Sequence, residues 1–273
     1  MPKVKINGVE LFYEIKGNQK AEQTIIFMNG VMASANSWDA FIPIFEKAGY
    51  KVIVHDFRGQ FLSEKPESEY TFELHVQDTI ALLDHLDIEK AHFITTSYGG
   101  ITSIFLTLSH PKRVKSLILI DTASELDPNF QIKFNGLADI IENPTPEKKN
   151  IHYDQLVPYI YGKDYVLKNR ENISARKTVV ANLPDDFYRS ISKLYRNAMQ
   201  NSYATDRIHE IKCPVFIVCG EDDISTPLYL SKIMASKIKQ AELCYIPFCG
   251  HVSIMEQPEV LKSMMLGFVI KNS

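Results

Sequence analysis

Short apolar segments alternate with helix-like segments along most of the 273-residue chain, and this alternation limits the possible folds most strongly. The apolar segments are continuous rather than alternating, which is typical of parallel strands buried on both faces. They occupy residues 24–28, 51–55, 91–95, 114–120, 215–219 and 243–246. Segments with apolar residues at spacings of three and four, as in helices, occupy residues 38–47, 71–86, 98–109, 227–239 and 258–271. The pattern predicts a mostly parallel α/β sheet with helices on both faces.

Two further short runs near the N-terminus alternate between apolar and polar residues, at residues 4–6 and 9–15. Asn7 and Gly8 separate them, and this pair tolerates the two positive φ angles of a type I′ turn. We therefore expect an antiparallel hairpin at one edge, which brings the predicted sheet to eight strands.

The alternation stops between residues 122 and 212. This stretch has helix-like segments and loop signals such as Asn143-Pro144, but no convincing strand pattern. We interpret it as a helical cap inserted after the sixth strand and packed over the C-terminal edge of the sheet, where open α/β sheets bind ligands. The predicted organisation is a core of residues 1–121 and 213–273 with a cap of residues 122–212.

Composition excludes several classes of protein. The 30 basic and 33 acidic residues give a net charge of −3, whereas nucleic-acid-binding domains tend to be strongly basic. No apolar run of about 18 residues and no secretory signal pattern are visible. The four cysteines lack CxxC spacing, and zinc-hydrolase and phosphate-loop motifs are missing. We expect a cytoplasmic protein with reduced thiols that acts on a small molecule without cofactor or metal; its oligomeric state stays open.

A serine follows the apolar strand 91–95 at a point where a helical segment begins. Ser97 precedes Gly99 and Gly100, so the pattern is strand, sharp turn and helix, which is the context of a nucleophile elbow. The helix N-terminus offers free N–H groups, and the Tyr98 N–H is the expected donor to a developing oxyanion. Thr95 occupies the first glycine position of G-x-S-x-G, where its side chain is expected to crowd the turn. The alternative role for Ser97 is an ordinary helix N-cap.

Two later segments carry side chains that fit a nucleophilic serine. Asp222 and Asp223 follow the strand 215–219, where a carboxylate is able to orient an imidazole. His251 follows Gly250 in the loop after the last strand. Taken singly, the carboxylates are also suited to a helix cap and the histidine to a structural role, but the three together occur in the order Ser, Asp, His.

With these residues the sequence resembles the α/β-hydrolase fold superfamily over nearly its whole length. Residues 56–63 (DFRGQFLS) resemble the family's D-x-R-G-x-G-x-S loop, with Phe61 where glycine is usual. Residues 220–227 resemble its G-x-x-D-x-x-x-P acid loop, and residues 250–259 resemble its G-H-x-x-x-x-E-x-P-E ending. The resemblance implies that Asp223, with Asp222 as the alternative, is the acid that pairs with His251.

The resemblance also implies a mechanism. His251 takes the Ser97 proton, Ser97 attacks an acyl carbon to form an acyl-enzyme, and Asp223 holds the imidazole. The second oxyanion donor is implied to be the Val31 N–H, in a loop where Asn29-Gly30 replaces the frequent His-Gly. Haloalkane dehalogenases and epoxide hydrolases are disfavoured because they use Asp in place of Ser97.

The expected function is a carboxylesterase-like serine hydrolase for a small, neutral ester, lactone or thioester. A carbon–carbon bond hydrolase shares the implied architecture and stays an alternative. A second alternative is a ligand-sensing or signalling protein that retains the three residues but turns over little. The departures at Thr95, Asn29 and Phe61 keep the sensing alternative open.

Overall fold

A computed structural model describes residues 2–273, which contain an eight-stranded sheet with helices on both sides. The strands are β1 (Lys3–Ile6), β2 (Val9–Gly17), β3 (Thr24–Met28), β4 (Lys51–His55), β5 (Ala91–Thr96), β6 (Val114–Ile120), β7 (Val215–Gly220) and β8 (Ala241–Ile246). Their order across the sheet is β1-β2-β4-β3-β5-β6-β7-β8. All pairings from β4 to β8 are parallel, so the predicted α/β architecture is confirmed.

The N-terminal hairpin forms one edge of this sheet. Asn7 and Gly8 have φ angles of 47° and 79°, the positive values that the turn between β1 and β2 was expected to need. Strand β2 then pairs antiparallel with β4, which attaches the hairpin to the parallel part of the sheet.

The helices of the core follow the predicted segments with one correction and one addition, the short helix Ser253–Glu256, which was not predicted. They are α1 (Ile42–Lys47), α2 (Phe72–His85), α3 (Tyr98–Ser109), α9 (Leu228–Lys237), α10 (Ser253–Glu256) and α11 (Pro258–Lys271). The prediction that the first helix begins at residue 38 is wrong, because Ala35–Trp38 form a separate 3₁₀ turn. Pro43 lies in the first turn of α1, where its missing N–H is tolerated, and this favours a start at Ile42.

Five α-helices lie between β6 and β7, which confirms the insertion after the sixth strand. They are α4 (Pro128–Glu142), α5 (Pro146–Ile160), α6 (Lys163–Lys168), α7 (Arg170–Ala181) and α8 (Asp185–Asn201). Asp127 and Thr145 cap α4 and α5 with side-chain oxygens, and the Ser192 hydroxyl ties α8 to the Ala138 carbonyl of α4 at 2.9 Å. The division into a core and a separate cap domain stays a prediction.

Both faces of the central strands are buried. In β3, Ile26 and Met28 pack on one side, whereas Ile25 and Phe27 pack on the other, and all four are completely buried. This arrangement explains why the strand segments are continuously apolar. Among helices built from the described residues, none is long and apolar enough to cross a membrane.

Candidate active site

Ser97 lies in a strained turn between β5 and α3. Its φ and ψ angles are 50° and −118°, a conformation that a non-glycine residue rarely adopts and that costs about 1–3 kcal/mol. The Ser97 N–H donates to the Ile120 carbonyl at 3.0 Å, and the Thr122 hydroxyl donates to the Ser97 carbonyl at 2.7 Å. A Cβ at Gly99 would lie 2.5 Å from the Met28 carbonyl oxygen, so this position requires glycine. The turn has the predicted form.

Thr95 does not disrupt this turn, although the sequence suggested crowding. The side chain is completely buried, and its hydroxyl donates to the Ile118 carbonyl at 2.8 Å. The Ser103 hydroxyl of α3 lies 3.2 Å from the Thr95 hydroxyl oxygen. The small Ser103 side chain therefore leaves space between strand and helix, and the threonine hydroxyl is satisfied.

The three sequence-predicted residues Ser97, His251 and Asp223 form one hydrogen-bonded series. Ser97 Oγ lies 2.9 Å from His251 Nε2, and His251 Nδ1 lies 2.8 Å from Asp223 Oδ2. The residues come from the ends of β5, β7 and β8, which meet at the C-terminal edge of the sheet. Parallel pairing thus brings together side chains that are 28 and 154 positions apart.

Asp223 is held by its own loop as well as by His251. Its Oδ1 accepts the N–H groups of Ser225 and Thr226 at 2.7 and 2.9 Å, and the Thr226 hydroxyl donates to Oδ2 at 2.8 Å. Burial favours the neutral acid, but His251 and these donors outweigh it and lower the pKa of Asp223. Asp222, the alternative acid, is exposed, and its N–H donates to the Cys249 carbonyl.

The imidazole of His251 is basic for a buried ring. Burial alone works against the charged form, but the Asp223 carboxylate outweighs it, so the pKa of His251 is raised above its usual value. The ring accordingly takes up a proton more readily than a histidine in water. It has the position and the basicity to accept the Ser97 proton.

Asp121 supports the same region, and sequence analysis missed it. This buried residue follows β6 with a φ of 46°, and its carboxylate accepts the N–H of Gly220 and both the N–H and hydroxyl of Ser253. Burial and the neighbouring Asp223 charge raise the pKa of Asp121. Its place directly after a strand of the parallel sheet was the only available sequence signal.

Asp121, Asp223 and the Cys219 thiol also have the donor types of a metal site, with one atom of each within 4.8 Å of the others. Both carboxylates already accept the hydrogen bonds just described. Burial raises the pKa of the Cys219 thiol far above its ordinary value, which disfavours the thiolate a metal needs. The group is therefore better suited to supporting the His251 loop than to binding a cation.

The loop after β3 runs beside the serine. A Cβ at Gly30 would lie 3.2 Å from Ser97 Cβ, so glycine permits this approach. Val31, the predicted donor, follows directly. Among the described residues, no acceptor is bonded to the N–H groups of Val31 and Tyr98, which stay available for an oxyanion.

Asn29 holds the start of this loop. Its side-chain oxygen accepts the indole N–H of Trp38 at 2.6 Å, and its side-chain nitrogen donates to the His55 carbonyl at 2.9 Å. Trp38 is completely buried, so its ring packs in the core while its N–H is bonded to Asn29. Asparagine therefore replaces the more frequent histidine without leaving the loop unsupported.

The inserted segment forms hydrogen bonds with the loop after β8 that carries His251, which we call the His251 loop. The His251 N–H donates to the Ile160 carbonyl at the end of α5, at 3.0 Å. Glu256 accepts the N–H of Gly162 at 3.0 Å and that of Gly250 at 2.9 Å, so its carboxylate bridges the insertion and the loop. The geometry of His251 thus depends on where α5 ends.

A cavity of about 420 Å³ opens between the core and the inserted helices. Ser34, Asn36 and Phe61 border it from the core, and Leu183 and Phe187 border it from the insertion. Ser97 and His251 are not among its lining residues, so it is a neighbour of the serine site rather than the site itself.

A strained serine above a parallel sheet, bonded to a histidine and an aspartate from later strand ends, defines the class of α/β-hydrolase-like proteins. Comparison with known families agrees: the profile of the alpha/beta hydrolase fold family matches residues 23–258. The chain belongs to that family.

Individual relatives are distant but cover nearly the whole chain. The chain is 25% identical to a putative carbamate hydrolase, RutD, of Caulobacter sp. strain K31, over 95% of each protein. It is 27% identical to a proline iminopeptidase of Lactobacillus helveticus, over 94% of this chain and 93% of the relative. The crystal structure of MGS-M2, an alpha/beta hydrolase enzyme from a Medee basin deep-sea metagenome library, superposes with a TM-score of 0.93 at 26% identity, covering 98% and 97% of the two chains.

Proposed function

We propose that the protein is a serine hydrolase that cleaves a small, neutral ester, lactone or thioester through an acyl-enzyme. The observation that carries the proposal is the continuous contact from Ser97 Oγ to His251 Nε2 and from His251 Nδ1 to Asp223. A merely capping serine needs neither a buried histidine nor a carboxylate behind it.

The chemistry follows from this order of contacts. The Ser97 hydroxyl proton passes to His251 Nε2 as Ser97 Oγ bonds to the acyl carbon, and Asp223 stabilises the imidazolium. The carbonyl oxygen, now negative, accepts the N–H groups of Val31 and Tyr98. His251 protonates the leaving alkoxide or thiolate as its bond to the acyl carbon breaks. It then takes a proton from water as the water oxygen bonds to the acyl carbon, and returns that proton to Ser97 Oγ as the bond between Ser97 and the acyl group breaks and the acid is released.

An aromatic group of the insertion supports an apolar acyl substituent. Phe134 of α4 contacts Tyr195 of α8 with ring centres 5.1 Å apart, and Phe130 stacks on Phe134 at 4.0 Å. The Tyr195 hydroxyl reaches Met32 Sδ, one residue beyond Val31, at 3.8 Å. Tyr195 therefore connects this aromatic group to the loop after β3, and we infer that apolar surroundings there favour a neutral acyl group over a charged one.

The relatives support the reaction type more than the substrate. One relative is named a putative carbamate hydrolase and the other a proline iminopeptidase, so both names denote hydrolysis. In the proposed mechanism the nucleophilic step is attack of Ser97 Oγ on a carbonyl carbon, and this step allows either an oxygen or a sulfur leaving group.

The test combines active-site labelling with turnover. A fluorophosphonate probe should label the wild type and Ser109→Ala, which changes an exposed serine at the end of α3, but it should not label Ser97→Ala. Aryl esters of graded acyl length should be hydrolysed in parallel with labelling. Turnover that survives in Ser97→Ala refutes the assignment, and labelling without turnover of any ester favours the ligand-sensing alternative.

A further inference from the structure

The loop after β4 supports the oxyanion loop through one buried amide. Gln60 is completely buried, and its side-chain nitrogen donates to the Gly30 carbonyl at 3.2 Å. Its side-chain oxygen accepts the Met32 N–H at 2.8 Å. The two bonds fall on either side of Val31, the residue whose N–H is assigned to the oxyanion. A carbonyl only accepts and an N–H only donates, so the amide orientation is fixed by its partners.

The oxyanion loop needs such support because its backbone is strained. Met32 has a φ of 61°, a left-handed conformation that is unfavourable for a side chain of this size. Strained backbone persists only where the surroundings hold it. Gln60 supports this backbone because its amide both donates to the Gly30 carbonyl and accepts the Met32 N–H.

Gln60 is itself fixed by the turn that carries it. Its N–H donates to the Phe57 carbonyl, and its carbonyl accepts the Ser63 N–H. The next residue, Phe61, replaces the family's usual glycine, has a φ of 33° and packs against Phe187 of α8 with ring centres 4.9 Å apart. The departure at Phe61 therefore anchors the Gln60 turn against the inserted helices.

We infer that Gln60 is a positioning residue, which directs the Val31 N–H at the oxyanion through its two bonds to Gly30 and Met32. The inference rests on the proposed function of Ser97. Gln60 does not touch the substrate in this role; it sets the direction of a backbone donor. Loss of one oxyanion donor typically costs about 10²–10³-fold in kcat, and misdirecting a donor should cost less, about 10–100-fold.

Two substitutions separate positioning from stability. Gln60→Leu removes both bonds at similar volume, whereas Gln60→Glu keeps the Met32 bond and, when ionised, loses the donor to Gly30. Both should lower kcat with KM changed less than threefold, because the oxyanion forms only in the transition state. Ser116→Ala is the matched control: it removes a buried hydrogen bond to His92 at the opposite end of the sheet and should leave kcat unchanged.

Two measurements distinguish a positioning role of Gln60 from a purely structural one. A trifluoromethyl ketone, which binds as an oxyanion on the serine, should lose affinity in proportion to kcat/KM. A protonated carboxyl both donates and accepts, so the activity of Gln60→Glu relative to wild type should rise as the pH falls from 8 to 6. A merely structural role moves neither ratio.

The outcomes are distinguishable from those of the proposed function. If Ser97→Ala is inactive while folded Gln60→Leu or Gln60→Glu retains kcat within threefold, the positioning inference is overturned alone. If Ser97→Ala stays active, the proposed function fails first. Should Gln60→Leu not fold, Gln60→Glu decides through its pH ratio, and a flat ratio overturns the inference.

Discussion

His152 allows a quantitative test of how the inserted helices respond to acid. The side chain is completely buried on α5, between the rings of Tyr188 and Tyr195, and among the described residues neither ring nitrogen has a hydrogen-bond partner. Burial lowers the pKa of His152 from 6.5 to about 4. The folded protein therefore holds this ring neutral at pH values where the unfolded chain protonates it.

The magnitude follows from the difference in proton binding. When the pKa of a base is lower in the folded protein than in the unfolded chain, it does not affect the free energy of unfolding at pH values above the unfolded-chain pKa. As the pH falls below that pKa, the free energy of unfolding decreases. In a comparison of pH 8 with pH 5, the lower pH is about 1.5 units below the histidine pKa of the unfolded chain, and each unit corresponds to about 1.36 kcal/mol. His152 should thus reduce the free energy of unfolding by about 2 kcal/mol over this interval.

The experiment compares the wild type with His152→Phe in urea at pH 8 and pH 5, followed by circular dichroism. The difference in free energy of unfolding between the variant and the wild type should increase by about 2 kcal/mol in favour of the variant when the pH is lowered from 8 to 5. For an m-value of about 2 kcal/mol/M, this corresponds to a relative shift of the urea midpoint of about 1 M. The comparison cancels the titration of all other groups. His209→Gln, which changes an exposed histidine, should show no such gain. A difference between His152→Phe and wild type that is the same at both pH values would refute the reasoning.

Three further predictions concern the site. In Gly99→Ala the new Cβ would meet the Met28 carbonyl at 2.5 Å, so the thermal unfolding midpoint and ester turnover should both fall; an unchanged midpoint contradicts the packing argument. Wild-type kcat/KM should decline with acid as His251 takes up a proton, with its inflection above the usual histidine pKa. Asp223→Asn should shift that inflection to lower pH and reduce kcat by about 10³–10⁴-fold, measured as a pH–rate profile, and an unmoved inflection counts against the pairing. Glu256→Gln exchanges one accepting oxygen for a donor and should lower kcat/KM about tenfold at an unchanged unfolding midpoint. If the unfolding midpoint falls together with kcat/KM, the substitution acts through stability instead.

Strand ends were the most informative part of the sequence. Continuous apolar runs predict the parallel sheet, and parallel pairing places the C-terminal ends of its strands at one edge. The sequence alone therefore predicts that Ser97, Asp223 and His251 lie close together. Contacts made by side chains across the fold were harder. Asp121 meets Ser253 only because β6 and the loop after β8 converge, and Gln60 meets Met32 only because two loops cross. Neither pair has a local sequence pattern, since the partners are far apart along the chain.

The bond from the His251 N–H to Ile160 bears on how chimeras of this chain should be built. A boundary at residues 121 and 213 treats the insertion as an exchangeable module, yet that exchange removes the acceptor of the His251 N–H and the Gly162 partner of Glu256. Any Cβ at Gly162 would also lie 2.8 Å from the Gly250 nitrogen. A transplanted segment must therefore bring a carbonyl and a glycine to these two places, or residues 159–162 must be inherited together with the recipient's histidine loop.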